Sequence, residues 1–263
     1  LNQYLARAGF GSRRACEALI LEGAVTINGH RLRELSTRVA AEDKVLVNGK
    51  PVKMPLPIVA ILHKPHGYLC TSPDATNERT IYDLLPTGWP RVVYVGRLDK
   101  DSEGLLVVTN DGELTQRLTH PSSKLRKVYI VTLDREFNFE LAAKMKRGFP
   151  IEPGFARMED LFRVGPSTVK VILTQGLKRQ IREMFYRMGY EVKRLVRIQI
   201  GNLMLGELAV GQHRVLTQEE VKRYFPANGI KPGTKSGSRP AARPPRKSLP
   251  ATTSRGKKEL HHG

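Results

Sequence analysis

Apolar positions in the first fifty residues fall into two short helical patterns and two hairpins. Leu1, Leu5 and Ala8 recur at helical spacing, and Gly9 ends that pattern. Ser12 stands where a helix N-cap belongs, Ala15, Leu19 and Ile20 share one face behind it, and Gly23 follows the last turn. Val25-Thr26-Ile27 then runs into Asn28-Gly29, and Val45-Leu46-Val47 into Asn48-Gly49. Asn-Gly after a β-rich run predicts a two-residue hairpin, because both turn residues must accept positive φ. Residues 51–57, with Pro51, Pro55 and Pro57, read as a linker. From 58 to 225 β-rich runs at 58–62, 92–95, 105–109, 128–133, 168–173 and 195–200 are interleaved with helical periodicity near 112–119, 138–147 and 178–188. Thr217-Gln218-Glu219-Glu220 is a capping box that opens a last helix reaching Phe225. Strands and helices alternate without a strict strand–helix–strand rhythm, which predicts an α+β fold with a mostly antiparallel sheet.

The periodicity stops at 226. Residues 226–263 hold nine Lys and Arg against the single acid Glu259, with six prolines. Such a segment buries too little apolar area to offset chain ordering, and a disordered basic tail is expected. The reading thus divides the 263 residues into a small unit at 1–50, the linker, a main domain at 58–225 and the tail.

A net charge of +19 points to a polyanionic partner, nucleic acid first and a membrane surface second. No apolar run approaches the roughly 20 residues of a spanning helix, and no signal-peptide pattern opens the chain. With Leu1 in first place, a short preceding N-terminal piece is an expectation. Cys16 and Cys70 are isolated thiols, read as packing residues rather than a disulfide or a zinc site, and a cytoplasmic home is expected. His261 and His262 lack further ligands. With no Walker loop, no Gly-x-Gly-x-x-Gly after a strand and no Cys/His metal spacing, no cofactor and no metal are expected.

The chemistry concentrates in Gly96-Arg97-Leu98-Asp99-Lys100-Asp101-Ser102-Glu103-Gly104-Leu105-Leu106-Val107-Val108-Thr109-Asn110. A bare Arg-Leu-Asp is usually a charged turn between strands. An Asp held at a strand end between glycines and an Arg is also a plausible nucleophile or general base. Asp101 and Asp111 read as loop and turn residues. Pairing of Asp99 with Asp101 in a hydrolase is disfavoured, since carboxylates two apart on this chain are not expected to converge. Three other strings accompany this one: His63-Lys64-Pro65-His66-Gly67 after a strand, Lys127-Val128-Tyr129 entering one, and Gly176-Leu177-Lys178-Arg179-Gln180-Ile181-Arg182 before Leu195-Val196-Arg197. Alone, the first is a strand exit with no assigned function, the second a core or edge Tyr, and the third a basic amphipathic helix.

Together the four strings, in this order, resemble the RsuA/RluB/RluF group of rRNA pseudouridine synthases, and the Gly-Leu-x-Arg-Gln-Ile-Arg form resembles the RluF branch. Residues 1–50, through Ala6-Arg7-Ala8-Gly9, Ser12-Arg13-Arg14 and Gly23-Ala24-Val25-Thr26-Ile27-Asn28-Gly29, resemble an S4 RNA-binding domain. The resemblance implies a mixed, largely antiparallel sheet with flanking helices and a central cleft. It implies that Asp99 attacks the target uridine, that Tyr129 lies on the uracil face, and that Arg182 pairs with Asp99. Arg7, Arg13, Arg14, Arg97, Lys127 and Arg179 are then the expected RNA contacts. The implied substrate is ribosomal RNA, the large subunit's before others and with tRNA as the alternative, acted on by a monomer. A non-catalytic S4-containing ribosome-assembly factor is the competing reading; it accounts for the charge and the first fifty residues, but not for Asp99, Tyr129 and Arg182 each falling on such a string.

Overall fold

The computed structural model describes residues 1–72 and 75–226; the segment expected as a disordered tail lies, but for Pro226, outside the described residues. Its first part contains α1 (Asn2–Arg7), α2 (Arg13–Leu21), β1 (Val25–Ile27), β2 (His30–Leu32), β3 (Val45–Val47) and β4 (Lys50–Pro51). Ser12 caps α2 as expected, its side chain accepting from Ala15 N at 3.1 Å. Asn28 and Asn48 take φ of 52° and 49°, and the glycines after them 85° and 76°, so both Asn-Gly pairs make the predicted hairpin turns. The strands form one antiparallel sheet in the order β2-β1-β3-β4. Leu5, Cys16, Ile20, Val25 and Val47 close a core beneath it. Pro51 and Val52, expected in the linker, still belong to this sheet: Pro51 pairs with Leu46, and Val52 N donates to Val45 O at 3.0 Å. A proline is tolerated there because the edge strand needs no N–H from it.

The second part runs β5 (Val59–Lys64), β6 (Val93–Val95), β7 (Glu103–Thr109), α3 (Gly112–Thr119), β8 (Lys127–Leu133), α4 (Ala142–Arg147), β9 (Phe149–Ile151), β10 (Gly154–Ala156), β11 (Asp160–Arg163), β12 (Thr168–Leu173), α5 (Gln180–Tyr186), β13 (Val192–Ile200), β14 (Leu203–Met204), β15 (His213–Val215) and α6 (Gln218–Tyr224). Its main sheet has the order β11-β12-β8-β13-β7-β5-β15, with β6 beside β7 and β14 beside β13. Every pair in it is antiparallel except β13 with β7. The fold is therefore the expected α+β arrangement with a mixed, mostly antiparallel sheet.

The central strands are apolar on both faces, and their period of two sorts the side chains. On β7, Leu106 and Val108 join the core that contains Ile181, Met184 and Phe185 of the α5 region. Leu105 and Val107 join the opposite core, with Leu114 and Leu118 of α3 and Phe225 after α6. Asp111 caps α3 by accepting from Glu113 N and Leu114 N, and Thr217 with Glu220 closes the predicted capping box of α6. Burying both faces fixes β7 rigidly, and the Asp99 turn leads directly into it.

At the parallel contact the backbones of β7 and β13 come together where Gly104 pairs with Arg197. Gly104 has φ of +105°, and a Cβ there would lie 2.2 Å from the Arg197 carbonyl oxygen. Only glycine permits this approach.

Candidate active site

Asp99 lies on the turn between β6 and β7, closed by Ser102 N donating to Asp99 O at 3.0 Å. Two buried cations hold this turn by its carbonyls. Lys64, at the end of β5, is wholly buried; its Nζ donates to Asp99 O at 3.0 Å, Ser102 O at 2.7 Å and Pro65 O at 3.1 Å. Burial pushes its ammonium below the ordinary lysine range. Arg197, on β13, donates from Nη1 to Arg97 O at 3.4 Å and from Nε to Leu105 O of β7 at 2.7 Å, and its Nη2 is buried without a partner among the described residues. Neither cation makes an ion pair with a carboxylate among the described residues, so backbone dipoles offset their desolvation. The Lys-Pro string, to which the sequence assigned no function, thus supports the turn that bears Asp99.

The turn opens on a cleft of about 1090 Å³. Among the described residues Asp99 is the only acid lining it, beside eight Lys and Arg that include Arg97, Lys127, Arg157 and Arg197. Asp99 is half-buried, and its carboxylate has no hydrogen bond or ion pair among the described residues. Tyr129 also lines the cleft, 8% exposed on β8 and opposite Arg197 in the strand register. Lys127, at the start of β8, contributes an ammonium that burial and the nearby Arg197 charge push below its ordinary range. Arg97 is exposed at the rim.

Arg179 and Arg182 line the cleft too, but they do not pair with Asp99 as the resemblance implied. Their partner is Asp101. Arg179 donates Nη1 to Oδ1 at 3.2 Å and Nη2 to Oδ2 at 2.8 Å, while Arg182 Nε lies 3.1 Å from Oδ2. Arg182 also donates Nη2 to Asp101 O at 2.6 Å and Nη1 to Val192 O at 2.8 Å. The tight turn is the reason: it parts the two carboxylates, so that Asp99 lines the cleft and Asp101 meets the start of α5. Burial works to raise the Asp101 carboxyl, but the Arg179 hydrogen bonds and the two guanidinium charges outweigh it and hold the group below the usual carboxylate range.

Gln180, also missed from the sequence, is 3% exposed and shapes the loop that carries Lys178 and Arg179. Its Oε1 accepts from Leu177 N at 3.1 Å and its Nε2 donates to Arg157 O at 2.9 Å. Its place directly after Lys178-Arg179 hid a buried role. Arg7, Arg13 and Arg14 are exposed at the end of α1 and the start of α2, and do not line this cleft. Cys16 and Cys70 are buried free thiols, consistent with packing.

An unpaired carboxylate and a Tyr in a cleft whose other charged side chains, among the described residues, are basic suit an enzyme that works on a polyanion. Comparison with known proteins agrees. Residues 58–186 match the RNA pseudouridylate synthase family and residues 1–45 the S4 domain. An uncharacterised RNA pseudouridine synthase of Aquifex aeolicus (strain VF5) is 41% identical, covering 88% of this chain and 95% of the relative. Ribosomal large subunit pseudouridine synthase B of Bacillus subtilis (strain 168) is 35% identical, covering 85% and 94%. A pseudouridylate synthase crystal structure superposes with a TM-score of 0.62 at 26% identity, over 85% of this chain and 98% of that one. The chain belongs to the RNA pseudouridine synthase family and carries an S4 RNA-binding domain. Among the described residues no helix is long and apolar enough to cross a membrane.

Proposed function

We propose that this enzyme isomerises one specific uridine of ribosomal RNA, in the large subunit's 23S rRNA, with Asp99 as the attacking carboxylate. The observation that carries the reading is the free Asp99 carboxylate, among the described residues the only acid lining a cleft with eight Lys and Arg. The substrate rests on similarity to enzymes named ribosomal large subunit pseudouridine synthase B, from Bacillus subtilis and Vibrio cholerae. Those names favour the B branch, whereas Gly176-Leu177 favours the F branch; the position of the modified uridine decides between them.

The reaction must break the bond from N1 to C1′, turn the uracil and rejoin it through C5. Arg97, Lys127 and Arg179 hold RNA phosphates at the cleft, and Arg7, Arg13 and Arg14 hold them at the S4 domain, positioning the strand without reading its sequence. The target base leaves its stack at a cost of about a few kcal/mol, and Tyr129 receives its face. An Asp99 oxygen then forms a bond either to C1′, with the glycosidic electron pair leaving on uracil N1, or to C6, with the C5=C6 π pair moving into the ring. Splitting the isomerisation this way replaces one difficult step by two easier ones. C5 then bonds to C1′, expelling the Asp99 carboxylate from C1′ in the first route; in the second the N1–C1′ bond breaks before C5 bonds to C1′, and the Asp99 carboxylate is afterwards eliminated from C6. The C5 proton passes to a base, for which the Tyr129 hydroxyl is the candidate. The enzyme acts as a monomer in the cytoplasm.

The test uses unmodified large-subunit rRNA transcripts carrying tritium at uracil C5. The intact enzyme is expected to release tritium to water, and Asp99→Asn to bind RNA but release none. Release by Asp99→Asn would remove Asp99 from the chemistry. Binding by the intact enzyme without any release would favour the assembly-factor reading.

A further inference from the structure

Among the described residues two phenylalanines are exposed, and they differ in what covers them. Phe162, on β11, has Lys170 Nζ 4.9 Å from its ring centroid. Phe155, on β10, is 55% exposed and makes no ring–ring or cation–π contact among the described residues. Its ring is nevertheless seated. Phe155 and Arg157 alternate with the buried Ala156 and Met158, so both side chains leave the outer face of the β9–β10 hairpin. They adjoin over Gly148, where an added Cβ would lie 2.7 Å from Phe155 Cε1 and 2.8 Å from Arg157 Cβ. Gly148 has φ of +84°, so its missing side chain serves both the turn after α4 and the seat of the ring. Gln175 ties this strand to the cleft: its Oε1 accepts from Arg157 N at 3.0 Å and its Nε2 donates to Phe155 O at 3.3 Å. The buried Gln180 braces both, donating to Arg157 O at 2.9 Å and Gln175 Oε1 at 3.2 Å. Arg157 and Gln175 line the cleft, and Phe155 precedes Arg157 just outside that lining. The Arg157 guanidinium has no hydrogen bond or ion pair among the described residues, and Arg147 is exposed at the end of α4. The hairpin's one acid, Glu152, lies in the turn at its opposite end.

We propose that Phe155 and Arg157 form a nucleotide subsite at the mouth of the cleft, Phe155 stacking on an unpaired RNA base beside the target uridine and Arg157 holding a phosphate next to it. The inference rests on the reading of the cleft as the uridine site. A uridine that leaves its stack uncovers a face of its neighbour. The exposed ring of Phe155 offers that face a new partner, and stacking of this kind accepts any base, so the subsite adds affinity without reading sequence. Because Gly148 and Gln175 seat the strand before RNA arrives, little ordering is left to oppose binding. A protein partner is the other occupant an exposed phenylalanine suits. Continuity with the cleft and the free guanidinium beside the ring favour RNA.

The test compares the full-length enzyme with Phe155→Ala, Phe155→Leu, Phe155→Trp and Arg157→Gln on the same tritiated transcript. Kd across a salt series, KM, kcat and melting temperature are read for each. Phe155→Ala and Phe155→Leu are both expected to weaken Kd and KM about tenfold, with the salt slope and melting temperature of the parent. The loss should fall on KM, with kcat within about twofold. Phe155→Trp should bind as tightly as the parent. Its emission should be quenched by RNA beyond any change at Trp89, the parent's single tryptophan. Arg157→Gln should flatten the salt slope by roughly one phosphate's worth. Undiminished affinity in Phe155→Ala overturns the proposal, as does a Phe155→Trp without the added quenching. Parent-like affinity in Phe155→Leu overturns it too, since an apolar side chain then suffices and the ring only packs on Gly148. A lower kcat at unchanged Kd likewise removes the residue from binding, and an unchanged slope in Arg157→Gln removes the phosphate contact. Affinity and quenching need no turnover: a parent that releases no tritium refutes the isomerase reading, while these two measurements still decide the stacking.

Discussion

Lys64 illustrates how one side chain governs the turn while remaining outside the cleft. Replacing it by Met leaves the carbonyls of Asp99 and Ser102 without their donor. A buried carbonyl that loses its partner costs about 1–3 kcal/mol, so Lys64→Met should be less stable by about 3 kcal/mol in urea unfolding, with slower turnover as the turn relaxes. The pH dependence has a definite sign. Burial lowers the ammonium's titration in the native state, so above that lowered value the unfolded chain holds more protons than the folded one. Stability from this residue therefore rises with pH up to the ordinary lysine value near about 10.4. Urea unfolding at stepped alkaline pH should show this rise in the intact enzyme and lack it in Lys64→Met. Neither Lys64 nor Asp101 was legible as a contributor from the sequence. A lysine ending an apolar run looks like a strand exit, and a second Asp in a charged turn looks solvated. Only the fold of the turn reveals that one is buried under carbonyls and the other facing two arginines.

At the scale of the element, the strands and helices announced themselves where local chemistry and burial agree. The Asn-Gly hairpins, the Ser12 cap, α3 over the predicted residues and the capping box of α6 all rest on short-range rules that nothing in the tertiary structure overrides. The pairs β9–β10 and the edge strands β11 and β15 were missed. They are three or four residues long, and β9 contains Pro150, so they lack a period long enough to read. Strand order was equally hidden: β13 lies between β8 and β7 because of the parallel contact at Gly104, a long-range pairing without a local signal. That contact is the most sensitive point of the sheet. In Gly104→Ala the added methyl meets backbone, which has no rotamer to yield, and the φ of +105° is unfavourable as well. The variant should lose about 3 kcal/mol or more, read as a lower urea midpoint. Its turnover should fall too, because β7 carries the Asp99 turn directly before it.

For the molecule as a whole, the charge is divided between two kinds of segment. Of the net +19, residues 226–263 supply +8, and the part that contains the S4 domain and the cleft supplies the rest. In RNA binding each neutralised phosphate releases condensed counterions, so affinity falls with salt at a slope of about 0.7 to 0.9 per contact. A basic segment poor in apolar residues adds to that slope without adding specificity. Truncation after Pro226 should therefore weaken binding to an unmodified rRNA transcript most at low salt and flatten the slope by several contacts. The variants' affinities should converge as salt approaches molar concentration, where the Debye length falls to about 3 Å. In the proposed reaction the isomerisation depends on Asp99 and Tyr129 within the cleft, so the truncated enzyme should modify the same uridine as the intact one when RNA is saturating. Mapping the modified position in both forms separates the two contributions: a changed position would assign target choice to the tail, and an unchanged salt slope would show that its cations do not meet RNA.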